Sequence, residues 1–139
     1  MALQPPATAE VIQSPLGTCW IWCPAPGVIV IVFKGVLSAQ SAAKIDEVLR
    51  RLTANGKKHE DFHDWEGMTD YDGQARVTLT NTALALRPSS EHVHLLVRSR
   101  AVAMGVKVAS AVLSNITSHL DRASFEAALD ASIARARNG

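Results

Sequence analysis

Cysteine and aromatic residues are scarce in this chain of 139 residues, which has two cysteines and 5% aromatic residues. On a β-strand Cys19 and Cys23 would share a face, but their Cα atoms would lie roughly 13 Å apart at about 3.3 Å per residue. A disulfide cannot span that distance. We therefore expect two reduced, half-buried thiols, as is usual in a cytosolic protein.

The chain also lacks an excess of charge and a long hydrophobic run. Its formal net charge is +1, and its basic groupings are balanced by nearby acidic residues, so we expect no nucleic-acid partner. The longest apolar run, Val28 to Phe33, is too short to cross a bilayer. The chain does not begin with basic residues followed by an apolar run, so we expect no signal peptide. These features predict a cytoplasmic protein without a transmembrane segment.

Sequence signatures of enzymes and cofactor sites are missing as well. There is no G-x-S-x-G elbow, phosphate-binding loop, dinucleotide fingerprint or H-E-x-x-H motif. One metal hypothesis stays open, because His92 and His94 share a strand face and His63 is expected on the adjacent strand, near Asp64 and Glu66. We favour the alternative, which is ordinary surface or half-buried histidines. We expect no enzymatic activity, no cofactor and no metal.

The amino-terminal region differs from the rest of the chain. Residues 1–12 contain two prolines and several small side chains, which predicts a flexible tail. Residues 13–139 are expected to form a single domain, because a chain of this length buries a core without metal or disulfide support. The segments 17–23 and 28–33 are rich in β-forming residues and flank a turn with prolines. They predict a β-hairpin whose second strand lies in the middle of the sheet.

Helical and strand patterns then alternate. Ser38, Ser99 and Asp121 are the expected caps of three helices. The segment from Gly73 to Leu86 is ambiguous, because its apolar spacing indicates a helix while residues 77–80 alternate like a strand, and we favour the helix. The predicted elements after the hairpin are a helix at 39–52, a strand at 59–65, a helix after Gly73, a strand at 91–97, a helix with an apolar stripe from Val102 to Ile116, an edge strand at 116–120 and a helix after Asp121.

The predicted order is β-β-α-β-α-β-α-β-α, an α/β fold with a mainly parallel sheet preceded by an N-terminal β-hairpin. This order, with Gly35-Val36-Leu37 between the second strand and the first helix, resembles the STAS fold of the anti-sigma-factor antagonist SpoIIAA and its relatives. The segment Asp64 to Thr69 is similar to short bacterial SpoIIAA-like proteins, in which an aromatic-Glu-Gly-x-Thr sequence follows the third strand. The resemblance covers roughly residues 17–136.

The resemblance implies a regulatory site at the start of the second helix. There the phosphorylated antagonists carry a D-S-S-G sequence, and a kinase modifies its second serine. Two alignments stay open: one places Asp70 to Gly73 on that sequence, with Asp72 at the phosphoserine, and the other places Asp72 to Ala75 there. Neither offers a hydroxyl acceptor, and Thr69 lies before the expected helix. One interpretation is that the acidic residues mimic the charge of the phosphorylated state. The other is that Asp70 or Asp72 caps the helix, and the two roles are compatible.

We therefore expect a non-enzymatic STAS-like protein-interaction module of bacterial signalling that lacks the usual phosphorylatable serine. Its partner is expected to be a protein, such as a kinase or another regulator, and a homodimer through the hairpin edge is a further expectation. The candidate partner-binding residues lie in a predicted loop: Glu66, Gly67, Thr69, Asp70, Tyr71, Asp72 and Gly73. The alternative is a SpoIIAA-like carrier or sensor that binds an apolar small molecule between helix and sheet, with peripheral membrane association. Exposure of Val108 and Val112 would favour it.

Overall fold

The computed structural model describes residues 3–139, and Met1 and Ala2 lie outside the described residues. The strands are β1 (Glu10–Gln13), β2 (Gly17–Ala25), β3 (Val28–Leu37), β4 (His59–Tyr71), β5 (Ser90–Val97) and β6 (Ile116–His119). The helices are α1 (Ala39–Leu52), α2 (Gly73–Leu86), α3 (Arg100–Ser110) and α4 (Arg122–Asn138). Over this part of the chain, no helix is long and apolar enough to cross a membrane.

A six-stranded sheet with the order β1-β2-β3-β4-β5-β6 forms the centre of the molecule. The first three strands are antiparallel, and β3 to β6 are parallel neighbours. Each parallel pair is connected through one helix, because parallel strands need a crossover connection. The predicted α/β fold with a mainly parallel sheet is confirmed. Strand β1 precedes the predicted hairpin as an additional element.

Strand β1 includes residues that the sequence pattern assigns to a tail. Val11 pairs with Trp20, and Ile12 pairs with Cys19. Ile12 is buried while Val11 is exposed, so the strand adds one apolar side chain to the core. Residues 10–12 therefore belong to the sheet. The pattern did not indicate them, because so short an edge strand carries little periodicity of its own.

Strand β3 is buried on both faces, as its run of β-branched residues predicts. Every side chain from Val28 to Phe33 is buried. Ile29, Ile31 and Phe33 belong to the core that α1, α2 and α3 cover. Val28, Val30 and Val32 belong to a second core, which α4 covers with Phe125 and Leu129. The sheet therefore lies between two layers of helices.

Local hydrogen bonds explain where three of the helices begin. Ser38, Ser99 and Asp121 each accept a hydrogen bond from a first-turn amide, at 3.1, 3.4 and 2.7 Å respectively. These bonds satisfy amides that have no partner within the helix. The three predicted caps are confirmed.

Helix α3 is shorter than its apolar stripe predicts. It ends at Ser110, and Ile116, at the end of the stripe, is the first residue of β6. Leu113 lies between them and is buried although it is outside the helix. Buried residues of the connection keep helical spacing here, so spacing alone does not reveal where the helix ends.

Helix α2 confirms the helical prediction for the segment after Gly73. Its buried residues are few, namely Ala75 and Thr82. The Thr82 hydroxyl donates a hydrogen bond to Asp46 of α1 at 2.5 Å. The helix is therefore anchored on α1, which leaves room between α2, α3 and the sheet.

The two cysteines differ in burial. Cys19 is fully buried, whereas Cys23 is exposed, and both are free thiols. The pairing of β2 with β3 is irregular between Trp22 and Ala25. Pro24 lies in this irregularity and has no amide hydrogen to donate to the ladder. The prediction that both thiols are half-buried is wrong, because one is fully buried and the other is exposed.

Candidate functional site

Strand β4 continues through the segment that the sequence predicts as a partner-binding loop. Gly67 pairs with Lys34, and Asp70 pairs with Val36. The register shifts twice along this stretch, as it does at β-bulges. The loop prediction is therefore wrong for residues 66–71. Backbone pairing with β3 holds these residues in a strand, although their polar side chains show no strand pattern.

Most of the predicted partner-binding residues lie together at the carboxyl end of β4 and the start of α2. The exposed ones, which we call the β4–α2 edge, are Gly67, Thr69, Asp70, Asp72 and Gly73. The Thr69 hydroxyl donates to the carbonyl of Gly35 at 3.4 Å. Asp70 accepts a hydrogen bond from the amide of Tyr71 at 2.8 Å. Tyr71 itself is half-buried and faces the interior of the molecule.

Asp72 caps helix α2. Its carboxylate accepts a hydrogen bond from the amide of Gln74 at 2.7 Å. A negative charge at this place also interacts favourably with the positive end of the helix dipole. The capping interpretation is confirmed for Asp72, while Asp70 does not cap the helix.

Glu66 faces α4, where it contacts Arg122. The Arg122 guanidinium lies 2.9 Å from Asp64, 2.9 Å from Glu66 and 3.1 Å from Glu126. The side chain of Asp64 is 4% exposed, so its charge needs a partner. Burial lowers the pKa of Arg122, but its hydrogen bonds to the three carboxylates outweigh burial and raise it above the ordinary value. Glu66 therefore helps to fasten β4 to α4.

Three histidines meet on the sheet face that α4 covers. His92 and His94 share this face, as the strand pattern predicts, and their ring centres are 4.7 Å apart. His94 lies 3.0 Å from His119 and 3.1 Å from Glu60 through its two ring nitrogens. His63 lies on the opposite face, so the hypothetical metal grouping does not assemble. Among residues 3–139, no three His, Cys, Asp or Glu side chains are arranged to hold a metal ion.

A cavity of about 110 Å³ lies between the sheet, α2 and α3. It lies where α2, anchored on α1, leaves the sheet uncovered. Its walls are mainly apolar and include Met68, Leu79, Leu86, Leu95, Val102 and Val106. A concave, mostly apolar site with few polar groups is the usual form of a small-molecule site.

The polar groups at the floor of the cavity come from β4. Asp61, His63 and Trp65 lie at alternate positions of the strand and line the cavity. Nδ1 of His63 is buried and has no hydrogen-bond partner in the described part of the chain. Burial lowers the pKa of His63 to about 4, although the charge of Asp61 acts in the opposite direction. The His63 ring is therefore neutral at pH 7.

Asp61 also belongs to a buried chain of hydrogen bonds. Nδ1 of His59 lies 2.7 Å from Asp61, and Nε2 of His59 lies 3.2 Å from the Ser89 hydroxyl. This is the order of a Ser-His-Asp triad. The Ser89 side chain, however, is not among the groups that line the cavity, and its hydroxyl donates to the carbonyl of Leu86 at 3.3 Å. We interpret the network as a tie between the turn before β5 and the start of β4.

The outer face of α3 and the turn after it are apolar and basic. Met104, Val108 and Val112 are 66%, 53% and 62% exposed. Lys107 is exposed among them. No acidic residue occurs from Arg98 to Leu120. Exposed apolar side chains that lie together in this way form a surface suited to contact with another apolar surface.

The alternative function predicted from the sequence places an apolar ligand between helix and sheet, but that prediction names no residue that lines the site. The sequence analysis assigns His63 only to the metal hypothesis, and Asp61 is not among its candidate residues. His59, Asp61 and His63 alternate within a strand that the predicted topology buries on both faces. Because unpartnered polar groups are costly in an interior, polar residues at alternate positions of such a strand indicate an internal polar site.

Comparison with known proteins identifies the fold. No protein-family model and no curated protein sequence matches the chain. A solved structure from Shewanella loihica PV-4, an uncharacterised protein of the DUF3478 family with a SpoIIAA-like fold, matches with a TM-score of 0.60. The two chains are 11% identical, and the match covers 88% of this chain and 92% of that chain. The fold is SpoIIAA-like.

Within this SpoIIAA-like fold, the phosphorylation site that the resemblance implies coincides with the start of α2. Asp72 is the cap of that helix, and Gly73 is its first residue. The nearest hydroxyl, that of Thr69, belongs to β4 and bonds to the backbone of β3. The start of α2, where the resemblance implies a regulatory site, is therefore capped by the carboxylate of Asp72.

Proposed function

We propose that this protein is a non-enzymatic carrier or sensor that holds an apolar small molecule between the sheet and helices α2 and α3. The observation that carries the proposal is the mainly apolar cavity at this place. Protein interiors are close-packed, so a cavity of this kind is unusual unless a ligand occupies it. The ligand would contact apolar side chains of three elements, the polar groups of β4 at the floor, and Arg76 of α2.

The size of the cavity supports a small ligand. An apolar cavity of about 150 Å³ is large enough to bind benzene. The present cavity, at about 110 Å³, is only slightly smaller. Helix α2 buries few of its own residues, so a modest movement of this helix would enlarge the site with little loss of packing.

The exposed face of α3 supports exchange of the ligand with a membrane surface. Met104, Val108 and Val112 expose apolar side chains, and Lys107 adds a positive charge among them. The helix contributes Val102 and Val106 to the cavity from its other side. A helix that contacts lipid on one side and the ligand on the other gives an apolar molecule a short route between the two.

Binding of cyclohexane to matched variants of α3 tests the proposal. Ala109 lines the cavity, whereas Ala103 is exposed on the same helix. In NMR titrations we expect cyclohexane to shift the signals of cavity residues in the wild type and in Ala103→Leu, but not in Ala109→Leu, whose larger side chain fills the site. Equal binding by both variants would show that the cavity is not the binding site. Native mass spectrometry of the purified protein adds a search for a retained ligand.

We propose in addition that the β4–α2 edge binds a protein partner in bacterial signalling, such as a kinase or another regulator. The supporting observation is the joint exposure of its five residues at the carboxyl end of a strand. In open α/β sheets this is where ligands and partners meet the chain. A quantitative pull-down comparing Asp70→Lys with Asp130→Lys tests this, because Asp130 is exposed on α4, away from this edge. Loss of binding in both variants, or in neither, would count against the edge.

A further inference from the structure

Nδ1 of His63 is a buried polar atom that no other group of the protein satisfies. It has no hydrogen-bond partner among residues 3–139. The neighbouring polar groups do not supply one, since Asp61 is bonded to His59. Buried polar atoms in native proteins nearly always have a partner, so each exception calls for an explanation. Because His63 lines the cavity, the explanation we consider is a group on the ligand.

The chemistry of the imidazole limits what this group can be. Burial lowers the pKa of His63 to about 4, so at neutral pH the ring offers one N–H donor and one nitrogen acceptor. Rotation about the second side-chain torsion of histidine is broad and nearly two-fold, so either ring nitrogen can be turned toward the cavity. A hydroxyl both donates and accepts, and it therefore satisfies whichever nitrogen it meets.

The charges around the cavity argue against an ionised group at this place. Asp61 is 5% exposed and lines the cavity beside His63, so it repels a carboxylate there. An ammonium group would be attracted to Asp61, but burying it among apolar walls opposes binding. Arg76 also lines the cavity, and it is the group to which an acid would have to bind instead.

We propose that the ligand of this cavity is an uncharged, mainly hydrocarbon molecule with a hydroxyl group that hydrogen-bonds to the His63 imidazole. The inference rests on the proposed function and gives it a ligand class: alcohols or phenols of about the size of one ring. The apolar walls bind the hydrocarbon part, and His63 selects for the hydroxyl.

Four probes with the same ring test this inference: cyclohexane, cyclohexanol, cyclohexanecarboxylate and cyclohexylamine. NMR titrations that follow the Trp65 indole give the dissociation constants, because Trp65 lines the cavity. We expect cyclohexanol to bind about ten-fold more tightly than cyclohexane, as one net hydrogen bond provides. In His63→Phe this preference should fall below about two-fold while cyclohexane still binds. His92→Phe, on the opposite face of the sheet, should keep the wild-type preference.

The outcomes separate this inference from the proposed function. If no probe binds, both are overturned. If cyclohexane binds and cyclohexanol binds no more tightly, the carrier function stands and the hydroxyl inference is overturned. The hydroxyl inference is also overturned if the carboxylate binds most tightly and loses this binding in Arg76→Gln. It is likewise overturned if the amine binds most tightly. The comparison of probes on the wild type decides the question even if His63→Phe does not fold.

Discussion

The hydroxyl of Tyr71 lies where a side chain on Gly105 would have to be. A Cβ atom on Gly105 would stand 2.7 Å from Tyr71 Oη and 2.8 Å from its Cζ. Tyr71 ends β4 and Gly105 lies within α3, so the glycine lets the ring pack between the strand and the helix. Both residues line the cavity. The close approach of β4 and α3 at this point therefore depends on the absence of a side chain at Gly105.

We expect Gly105→Ala to lower the free energy of unfolding by about 1–2 kcal/mol. Overpacking typically costs about 1–3 kcal/mol, and the better helix propensity of alanine offsets up to about 1 kcal/mol. Urea denaturation measures the change. In a Tyr71→Leu background the same substitution should be neutral or stabilising, because the ring atoms in its way are gone. An equal loss in both backgrounds would rule out the ring as the cause.

The contacts of Arg122 predict a larger effect. We expect Arg122→Met to lower the free energy of unfolding by roughly 3 kcal/mol, because it leaves the charge of Asp64 buried without a partner. The matched control is Arg51→Met, which breaks an ion pair with Glu10 whose side chains are 59% and 42% exposed. An exposed pair of this kind contributes about 1 kcal/mol or less. Similar losses in both variants would show that Asp64 does not depend on Arg122.

The parts of the fold that the sequence predicts are those that local chemistry determines. The run from Val28 to Phe33 is apolar at every position and predicts a strand buried on both faces. Ser38 and Asp121 supply oxygen atoms that cap helices wherever the chain permits. Strand β1 and residues 66–71 of β4 are different, because pairing with a neighbouring strand stabilises them. The residue types in these segments give little indication of that pairing, and Gly67 is a residue more typical of a loop than of a strand.

The candidate site could be predicted only in part, for a related reason. The exposure of Thr69 and Asp70 and the cap at Asp72 follow from a strand that leads into a helix. The cavity depends on the distance between α2 and the sheet, and Thr82 of α2 contacts Asp46 of α1, which is far away in the sequence. No local pattern encodes that distance. The role of His63 follows only after the cavity is known.

The exposed apolar face of α3 predicts binding to lipid vesicles. We expect the wild type to sediment with vesicles that contain anionic lipid, and the double variant Met104→Gln, Val108→Gln to sediment less, because it buries less apolar area in the membrane interface. Val77→Gln is the control, since Val77 is exposed on α2 to 39%. Raising the salt concentration should weaken binding, because Lys107 contributes by electrostatic attraction. Vesicle binding that is unchanged in the double variant would exclude α3 as the contact.

Three half-buried histidines predict a loss of stability in mildly acidic solution. Burial lowers the pKa values of His94 and His119, and that of His63 to about 4, from an ordinary value of 6.5. Between the folded and unfolded pKa values, the unfolded chain binds more protons, so the free energy of unfolding falls as the pH decreases below 6.5. For His63 alone the loss by pH 4.5 is roughly 2–3 kcal/mol. The fold lowers the pKa of Glu60 from its ordinary value of 4.5. Carboxylates of this kind therefore reduce stability mainly below pH 4.5, outside the range in which the histidines act.

Urea denaturation at several pH values checks the contribution of His63. His63→Phe should reduce the slope of stability against pH between 6.5 and 4.5, because phenylalanine does not titrate. At pH 8 the variant should be at least as stable as the wild type, since it removes a buried nitrogen that has no partner in the protein. An unchanged slope would show that His63 titrates normally in the folded protein.

The cap of α2 gives a prediction that also bears on partner binding. We expect Asp72→Ala to lower the free energy of unfolding by about 1 kcal/mol, because the amide of Gln74 loses its acceptor. Asp72→Ser should retain most of the stability, since serine also caps helices. Asp70→Ala should cost less than about 0.5 kcal/mol, because its carboxylate is exposed and only accepts from the next amide in the chain. Equal losses for Asp70→Ala and Asp72→Ala in thermal or urea denaturation would contradict the assignment of the cap.

The different roles of Asp70 and Asp72 matter for tests of the β4–α2 edge. Asp72→Ala changes the stability of the helix as well as the surface. A loss of partner binding is therefore assigned to the surface only when Asp70→Lys also loses binding while keeping wild-type stability.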